Sequence, residues 1–314
     1  MKRCTKCLMS AIIYQKYSGL YLCETHFFED VERKFKLTIR NEYNIKKNDR
    51  IIIAYSGGKD SSLLLYLFHK YFSVRRDIDI ISITIDEGIK GYRDVSIKKV
   101  VDFVNKLGVK HYLFSFEDEY NITMDKFTKF KENNKSINKN ISNGPCSFCG
   151  VLRRKLLNNI SKKLNGTKLA IGHNLDDEAQ TIMLNYLSGN INQMSYFLNK
   201  KEKDGFISRI KPLKRIPEQE VALYSYLKGL PMEIDPCPYS NNAYRKEIRY
   251  MLNNIESKHP GTKYSILRGI ESISTNIIKK NVNMNYCKKC GDPCNGLICQ
   301  ACKYLSIYIH NIDK

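Results

Sequence analysis

The segment Arg50-Ile51-Ile52-Ile53-Ala54-Tyr55 is a short apolar run that stops at Ser56-Gly57-Gly58 and gives way to a helical pattern over Leu63 to Tyr71. A run of this kind, ended by glycines, reads as a buried strand followed by a tight turn and a helix. The alternation then repeats. Ile78 to Ile85 is strand-like, Val95 to Leu107 helical, Tyr112 to Phe116 strand-like and Ile122 to Phe130 helical. Beyond a polar loop at Lys131 to Asn143, the spacing predicts a helix over Phe148 to Leu164, a strand over Lys168 to Ile171 and a helix from about Asp176 to Leu187. That order is the signature of βαβ units, and the expected fold is a doubly wound parallel α/β sheet.

After Arg209 the pattern changes to Pro-punctuated helical segments, Pro217 to Lys228, Tyr244 to Ile255 and Tyr264 to Ile278. We expect four regions: 1–40, an N-terminal cysteine-bearing module with a linker helix; 41–215, the α/β domain; 216–283, a helical extension carrying Cys237; and 284–314, a C-terminal cysteine-bearing module. No stretch approaches the ~18 apolar residues of a membrane span, so the expectation is a cytoplasmic protein with no membrane partner. Lys and Arg outnumber Asp and Glu by 52 to 32, which makes a polyanion such as nucleic acid the leading partner class. Eleven cysteines in a chain expected inside the cell point to metals or catalysis rather than to disulfides.

The turn after the first strand carries chemistry. Tyr55-Ser56-Gly57-Gly58-Lys59-Asp60-Ser61-Ser62 lies where unpaired N–H groups and the positive end of a helix favour phosphate. Its glycines let the backbone approach an anion, Lys59 adds a charge, and the serines offer hydroxyl donors. Lys59 is followed by Asp60 rather than Ser or Thr, so this is not a Walker loop. It resembles the PP-loop of enzymes that split ATP into AMP and pyrophosphate, which implies adenylation assisted by Mg²⁺.

Two further segments end predicted strands, where a doubly wound sheet presents its ligands. These are Ile85-Asp86-Glu87-Gly88 and Ile171-Gly172-His173-Asn174-Leu175-Asp176-Asp177-Glu178. Their carboxylates suit a metal or a proton acceptor, while Asp176 equally suits a helix N-cap and His173 a hydrogen-bonded core position. Pro145-Cys146-Ser147-Phe148-Cys149 is a CxxC pair and Cys237 stands alone. The pair by itself is compatible with a zinc knuckle, a redox couple or part of a cluster.

The chain ends are more decisive. Cys4, Cys7, Cys23 and His26 give three thiolates and an imidazole, and Cys287, Cys290, Cys299 and Cys302 give four thiolates, both at spacings that suit tetrahedral zinc. Cys294 has no partner in this scheme. The Lys and Tyr residues around both modules, including Tyr14, Tyr17 and Tyr304, are candidates for an RNA-facing surface or for structural bracing.

Taken together, SGGKDSS, Cys-Ser-Phe-Cys-Gly-Val-Leu-Arg-Arg, Gly-His-Asn-Leu-Asp-Asp-Glu-Ala-Gln-Thr, the isolated Cys237 and both terminal modules resemble the TtuA-type tRNA 2-thiouridine synthetases across nearly the whole chain. The resemblance implies tRNA 2-thiolation, with ATP bound by Ala54, Tyr55, Ser56, Gly57, Gly58, Lys59, Asp60 and Ser61 together with Asp86, Gly172 and Asp177. It implies that Cys146, Cys149 and Cys237 hold a 4Fe-4S cluster by three irons, a persulfide or disulfide at these cysteines being the older view. Lys59 and Asp177 are the implied catalytic side chains beside those cysteines, with Arg153 and Arg154 as candidates to neutralise phosphate or tRNA. The implied partners are tRNA, a sulfur donor (sulfide or a thiocarboxylated ubiquitin-like protein) and a second copy in a homodimer. The competing readings are a tRNA 2-thiocytidine synthetase, which the terminal modules argue against, and a zinc-ribbon RNA-binding protein with a degenerate nucleotide site.

Overall fold

The computed structural model describes residues 2–133, 144–190, 205–233, 235–240, 243–276 and 285–312. Most of the expected polar loop, the end of the last extension helix and the junction before the C-terminal module lie outside them.

The chain opens with a small hairpin, β1 (Ile13–Gln15) and β2 (Leu20–Leu22), that leads into α1 (Glu24–Glu42). The core then alternates as expected: β3 (Arg50–Ala54), α2 (Lys59–Phe72), β4 (Asp79–Asp86), α3 (Arg93–Leu107) and β5 (Lys110–Ser115). After α4 (Phe116–Tyr120) and α5 (Met124–Asn133) come α6 (Pro145–Lys163), β6 (Lys168–Ala170), α7 (Leu175–Leu187) and β7 (Ser208–Ile210). The five core strands are all parallel in the order β5-β4-β3-β6-β7. The strand order therefore reverses at β3, and the crevice beyond its carboxyl end is the topological switch point of a doubly wound sheet.

The apolar run that signalled β3 is buried on both faces, as a central parallel strand must be. Ile51 and Ile53 join one core with Leu63, Leu64 and Phe68 of α2, and Ile52 joins the other with Ile81, Ile83 and Leu156. The terminal modules divide between these cores. Cys4, Leu22 and Cys23 pack into the first, while Ala301, Tyr304 and Tyr308 of α11 (Gln300–Ile312) pack into the second. Each small module therefore seats on its own face of the sheet.

The extension supplies α8 (Glu218–Leu227), α9 (Ala243–Lys258) and α10 (Thr262–Asn276), and β8 (Asn285–Tyr286) pairs with β9 (Pro293–Cys294) in the C-terminal module. Val221 and Tyr224 of α8 belong to the first core, and Ile248 and Leu252 of α9 pack on Ala179 of α7. Among the described residues no helix is long and apolar enough to cross a membrane.

Candidate active site

The loop after β3 is preorganised. Ser61 Oγ accepts the Ser56 N–H at 3.1 Å and donates to the Gly58 carbonyl at 3.0 Å, which closes a ring of short bonds at the start of α2. Gly57 has φ +91, a conformation that disfavours side chains, and a Cβ there would stand 3.0 Å from Val100. Gly172, at the end of β6, presses against this loop. A Cβ on it would lie 3.0 Å from both Asp60 C and Ser61 N, so only glycine lets the segment after β6 approach the start of α2 this closely.

Charged side chains converge around the loop. Lys59 Nζ lies 3.0 Å from Asp60 and 2.9 Å from Glu218, and Asn174 Nδ2 donates to Asp60 at 2.8 Å. Asn174, not Asp176, caps α7: it accepts the Asp177 N–H at 3.0 Å while the Asp177 carboxylate accepts the Asn174 N–H. Asp176 is instead buried against Lys263 of α10 and accepts the Glu218 N–H at 2.8 Å. His173 is not a core residue; its half-exposed ring pairs with Glu178 at 3.4 Å. Burial pushes the Asp177 carboxyl above the usual carboxylate range and nearby Asp60 adds to the effect, against the pull of His173 and Arg245. Glu218, Arg245 and Arg249 belong to this cluster without any local sequence signal. Asp86, at the end of β4, accepts the Gly88 N–H at 2.8 Å and so shapes the turn there.

The three central cysteines lie in one neighbourhood, without the close grouping of the terminal sets. Pro145 at the first turn of α6 projects Cys146 and Cys149 from the helix start, and Cys146 Sγ donates to the Tyr239 carbonyl, two residues past Cys237, at 3.0 Å. Cys149 and Cys237 both pack on the second core. Burial drives the Cys149 thiol up to about 12, opposed by Arg153, and raises Cys237 as well. Phe148, between the paired cysteines, stacks 3.5 Å from Phe127 and 5.5 Å from Tyr304.

An ionic bridge, buried at Glu87 and Arg93 and open to solvent at Arg153, runs between this cysteine site and the nucleotide loop. Glu87, directly after β4, pairs with Arg93 at 2.9 Å and with Arg153 at 3.2 Å. Arg93 also donates to the Ser56 carbonyl at 3.1 Å and the Ile85 carbonyl at 2.6 Å. Its side chain is 5% exposed and that of Glu87 7%. Arg93 was not legible as functional, because nothing near it in the chain marks it out.

Among the described residues, the terminal sets Cys4, Cys7, Cys23, His26 and Cys287, Cys290, Cys299, Cys302 are the groups of three or more ligand atoms gathered within 4.8 Å. Tetrahedral zinc with Zn–S near 2.3 Å requires sulfurs about 3.8 Å apart. Cys7 to Cys23 and Cys290 to Cys299 are each 3.7 Å, and His26 Nδ1 faces Cys4 and Cys23 at 3.4 and 3.3 Å. Cys294 is not part of its set; it donates to the Gly296 carbonyl at 2.9 Å. Tyr17 and Tyr304 are braces rather than open surface. Tyr17 bonds Glu220 and packs on Tyr264, and Tyr304 is buried over Phe148. Tyr14 remains half-exposed and stacks on Tyr21 with ring centroids 4.3 Å apart.

This switch-point loop on a parallel sheet defines the class, a PP-loop nucleotide-binding protein, and the PP-loop domain family matches residues 28–256. The N-terminal LIM domain of the 2-thiouridine synthetase TtuA matches residues 3–28. A probable sulfurtransferase of Methanocaldococcus jannaschii is 40% identical over 95% of this chain and 86% of its own length. The tRNA 2-thiolation protein NcsA of Haloferax volcanii is 36% identical over 96% of this chain and 98% of its own. The chain belongs to this family of PP-loop tRNA 2-thiolation proteins. A solved structure described as the U34-tRNA thiolase NcsA from Methanococcus maripaludis with its 4Fe-4S cluster superposes with TM-score 0.85 at 35% identity, covering 98% of this chain and 96% of that one.

Proposed function

We propose that this protein is an ATP-dependent tRNA-uridine 2-sulfurtransferase. The observation that carries the reading is the return of the Cys237 segment to Cys146 and Cys149, on a site tied to the nucleotide loop through Arg153, Glu87 and Arg93. A binding module would not need three half-buried to exposed thiols linked to a phosphate loop.

The donor set fits a cluster better than a structural zinc. It offers three sulfurs, one fewer than a closed zinc site, and they are not drawn into a tetrahedral group as the terminal sets are. Cys146, Cys149 and Cys237 would hold a 4Fe-4S cluster, which when bound supplies an iron free of protein thiolate as a seat for the transferable sulfur. The NcsA structure described with such a cluster supports this choice over a persulfide. Zinc suits the two terminal sets, whose metal would supply much of the folding free energy of modules too small for a core of their own.

In the reaction, the loop amides of Gly57 to Ser61 and the Lys59 ammonium bind the triphosphate of ATP, and Asp60 and Asp86 would hold the Mg²⁺ that offsets its charge. The uridine C2 oxygen attacks the α-phosphorus and pyrophosphate leaves. Sulfur then attacks C2, and the oxygen departs as part of AMP. Asp177, with its raised affinity for a proton, takes the proton released along this path. Arg153, held by Glu87, balances negative charge at the sulfur site.

The wobble uridine is the substrate this reading favours, on the likeness to the NcsA thiolase over nearly the full chain. Sulfide or a thiocarboxylated ubiquitin-like carrier delivers the sulfur, the active form is a homodimer, and the cytoplasm, whose reducing poise keeps thiols free, is its compartment. The test is pyrophosphate release that depends on tRNA, with mass spectrometry locating the thiolated uridine. Cys237→Ser should abolish thiolation and leave tRNA affinity nearly unchanged. A colourless, iron-free enzyme that still thiolates would eliminate the cluster, and pyrophosphate release indifferent to tRNA would eliminate the substrate.

A further inference from the structure

Three cations stand around the nucleotide loop, and each rests on a carboxylate. Lys59 bridges Asp60 and Glu218. Arg249 of α9 grips both oxygens of the same Glu218 at 2.6 and 2.7 Å. Arg245 reaches Asp177 at 3.6 Å and also touches Gln180 at 3.2 Å. The two arginines lie one helical turn apart and so share a face of α9. They are 40% and 47% exposed, so they line an opening rather than fill a core.

Both contacts with Glu218 come from one nitrogen, Arg249 Nη2, so the remaining guanidinium N–H groups make no bond to Glu218, and a partly exposed guanidinium placed this way suits phosphate oxygens as well as it suits a carboxylate. Lys59, Arg245 and Arg249 against Asp60, Asp177 and Glu218 sum to no net charge. An incoming triphosphate brings several negative charges to a cluster that is neutral at rest, and it needs the cations more than the carboxylates do.

We propose that Arg249, with Arg245 one turn before it, is an anion-binding residue of the nucleotide site, and that Glu218 is a resting partner that phosphate oxygens displace. The inference rests on the ATP reading above and extends it to residues outside the PP-loop. On this view the extension is a working part of the site. Phosphate draws α9 toward the loop, and α9 follows the segment that carries Cys237.

The experiment uses isothermal titration calorimetry of the full chain with inorganic pyrophosphate in the absence of divalent metal, and separately with ATP and Mg²⁺. If the unaltered chain binds neither, the ATP reading itself fails, whatever the arginines do. Given binding, Arg249→Gln should weaken pyrophosphate at least about tenfold, the loss of one charge-assisted contact. Glu218→Gln should tighten it, because a competitor for Lys59 and Arg249 is gone. Opposite signs cannot come from general damage to the fold. Equal signs, or no shift in either variant, overturn the proposal. So does a fall in tRNA affinity with pyrophosphate binding unchanged, which would assign the arginines to an RNA surface.

Discussion

Replacing Glu87 with Gln tests the bridge between the loop and the cysteines. The substitution keeps the side chain's size and removes the charge that two guanidiniums share. Breaking a buried pair by neutralising one partner costs about 3–5 kcal/mol, because the other charge stays buried and uncompensated. Arg93 keeps its bonds to the Ser56 and Ile85 carbonyls, which places the cost at the low end, about 3 kcal/mol. The Arg153 arm is 47% exposed and adds less than about 1 kcal/mol. For a domain of this size 1 kcal/mol moves the melting temperature by about 2–4 °C, so Glu87→Gln should melt about 6–12 °C lower. Far-ultraviolet circular dichroism of the full chain reads this directly. Adding Arg93→Met should recover part of the loss, since the stranded charge is then removed. Thiolation should also fall further than tRNA-dependent pyrophosphate release, because Arg153 loses the partner that aims it. A shift under about 2 °C, or strictly additive losses in the double variant, would refute the bridge.

Gly172→Ala forces a methyl to within 3.0 Å of the Asp60 and Ser61 backbone. Overpacking of this kind costs about 1–3 kcal/mol, so ATP affinity should drop by about tenfold or more while tRNA affinity holds. Asp30, buried under the N-terminal hairpin, is desolvated, yet Lys34, Gln15 and Arg33 hold its carboxyl down at about 2 against the ordinary 3.8. A depressed carboxylate stabilises the fold fully above pH 3.8, and that share is lost as pH falls through 2. Asp30→Asn should therefore cost about 2 kcal/mol at neutral pH, and its difference from the unaltered chain should shrink between pH 4 and pH 2. Cys302→Ser should lower iron retention as well as zinc, because α11 braces Phe148 within the CxxC through Tyr304; unchanged iron content would separate the two sites.

Much of this was written locally in the chain. The Ile51 to Ile53 run and the glycine turn after it are patterns of neighbours, and they predicted their elements within a few residues; the terminal cysteine spacings likewise belong to residues whose ligand atoms gather within 4.8 Å. β7 escaped because Ser208-Arg209-Ile210 is three residues long and carries no apolar run; its place at the sheet edge comes from pairing with β6. Arg93, Glu218, Arg245 and Arg249 escaped for a different reason. Their roles depend on pairings between elements far apart in sequence, such as Lys59 with Glu218, and a single sequence carries no periodicity that reports them.

The same distinction explains how the site is assembled. The phosphate nest is a local structure, set by glycines and one helix start. Its charge balance is not, because the compensating side chains arrive from α8, α9 and the turns after β4 and β6. Cys237 likewise meets its partners only after the chain has completed the sheet and returned along α8. Arg93, Glu87 and Arg153 form one connected arrangement that runs from the Ser56 carbonyl of the phosphate nest to the helix carrying Cys146 and Cys149. The extension and the bridge therefore distinguish a phosphate-binding turn from a site that can join nucleotide chemistry to sulfur chemistry.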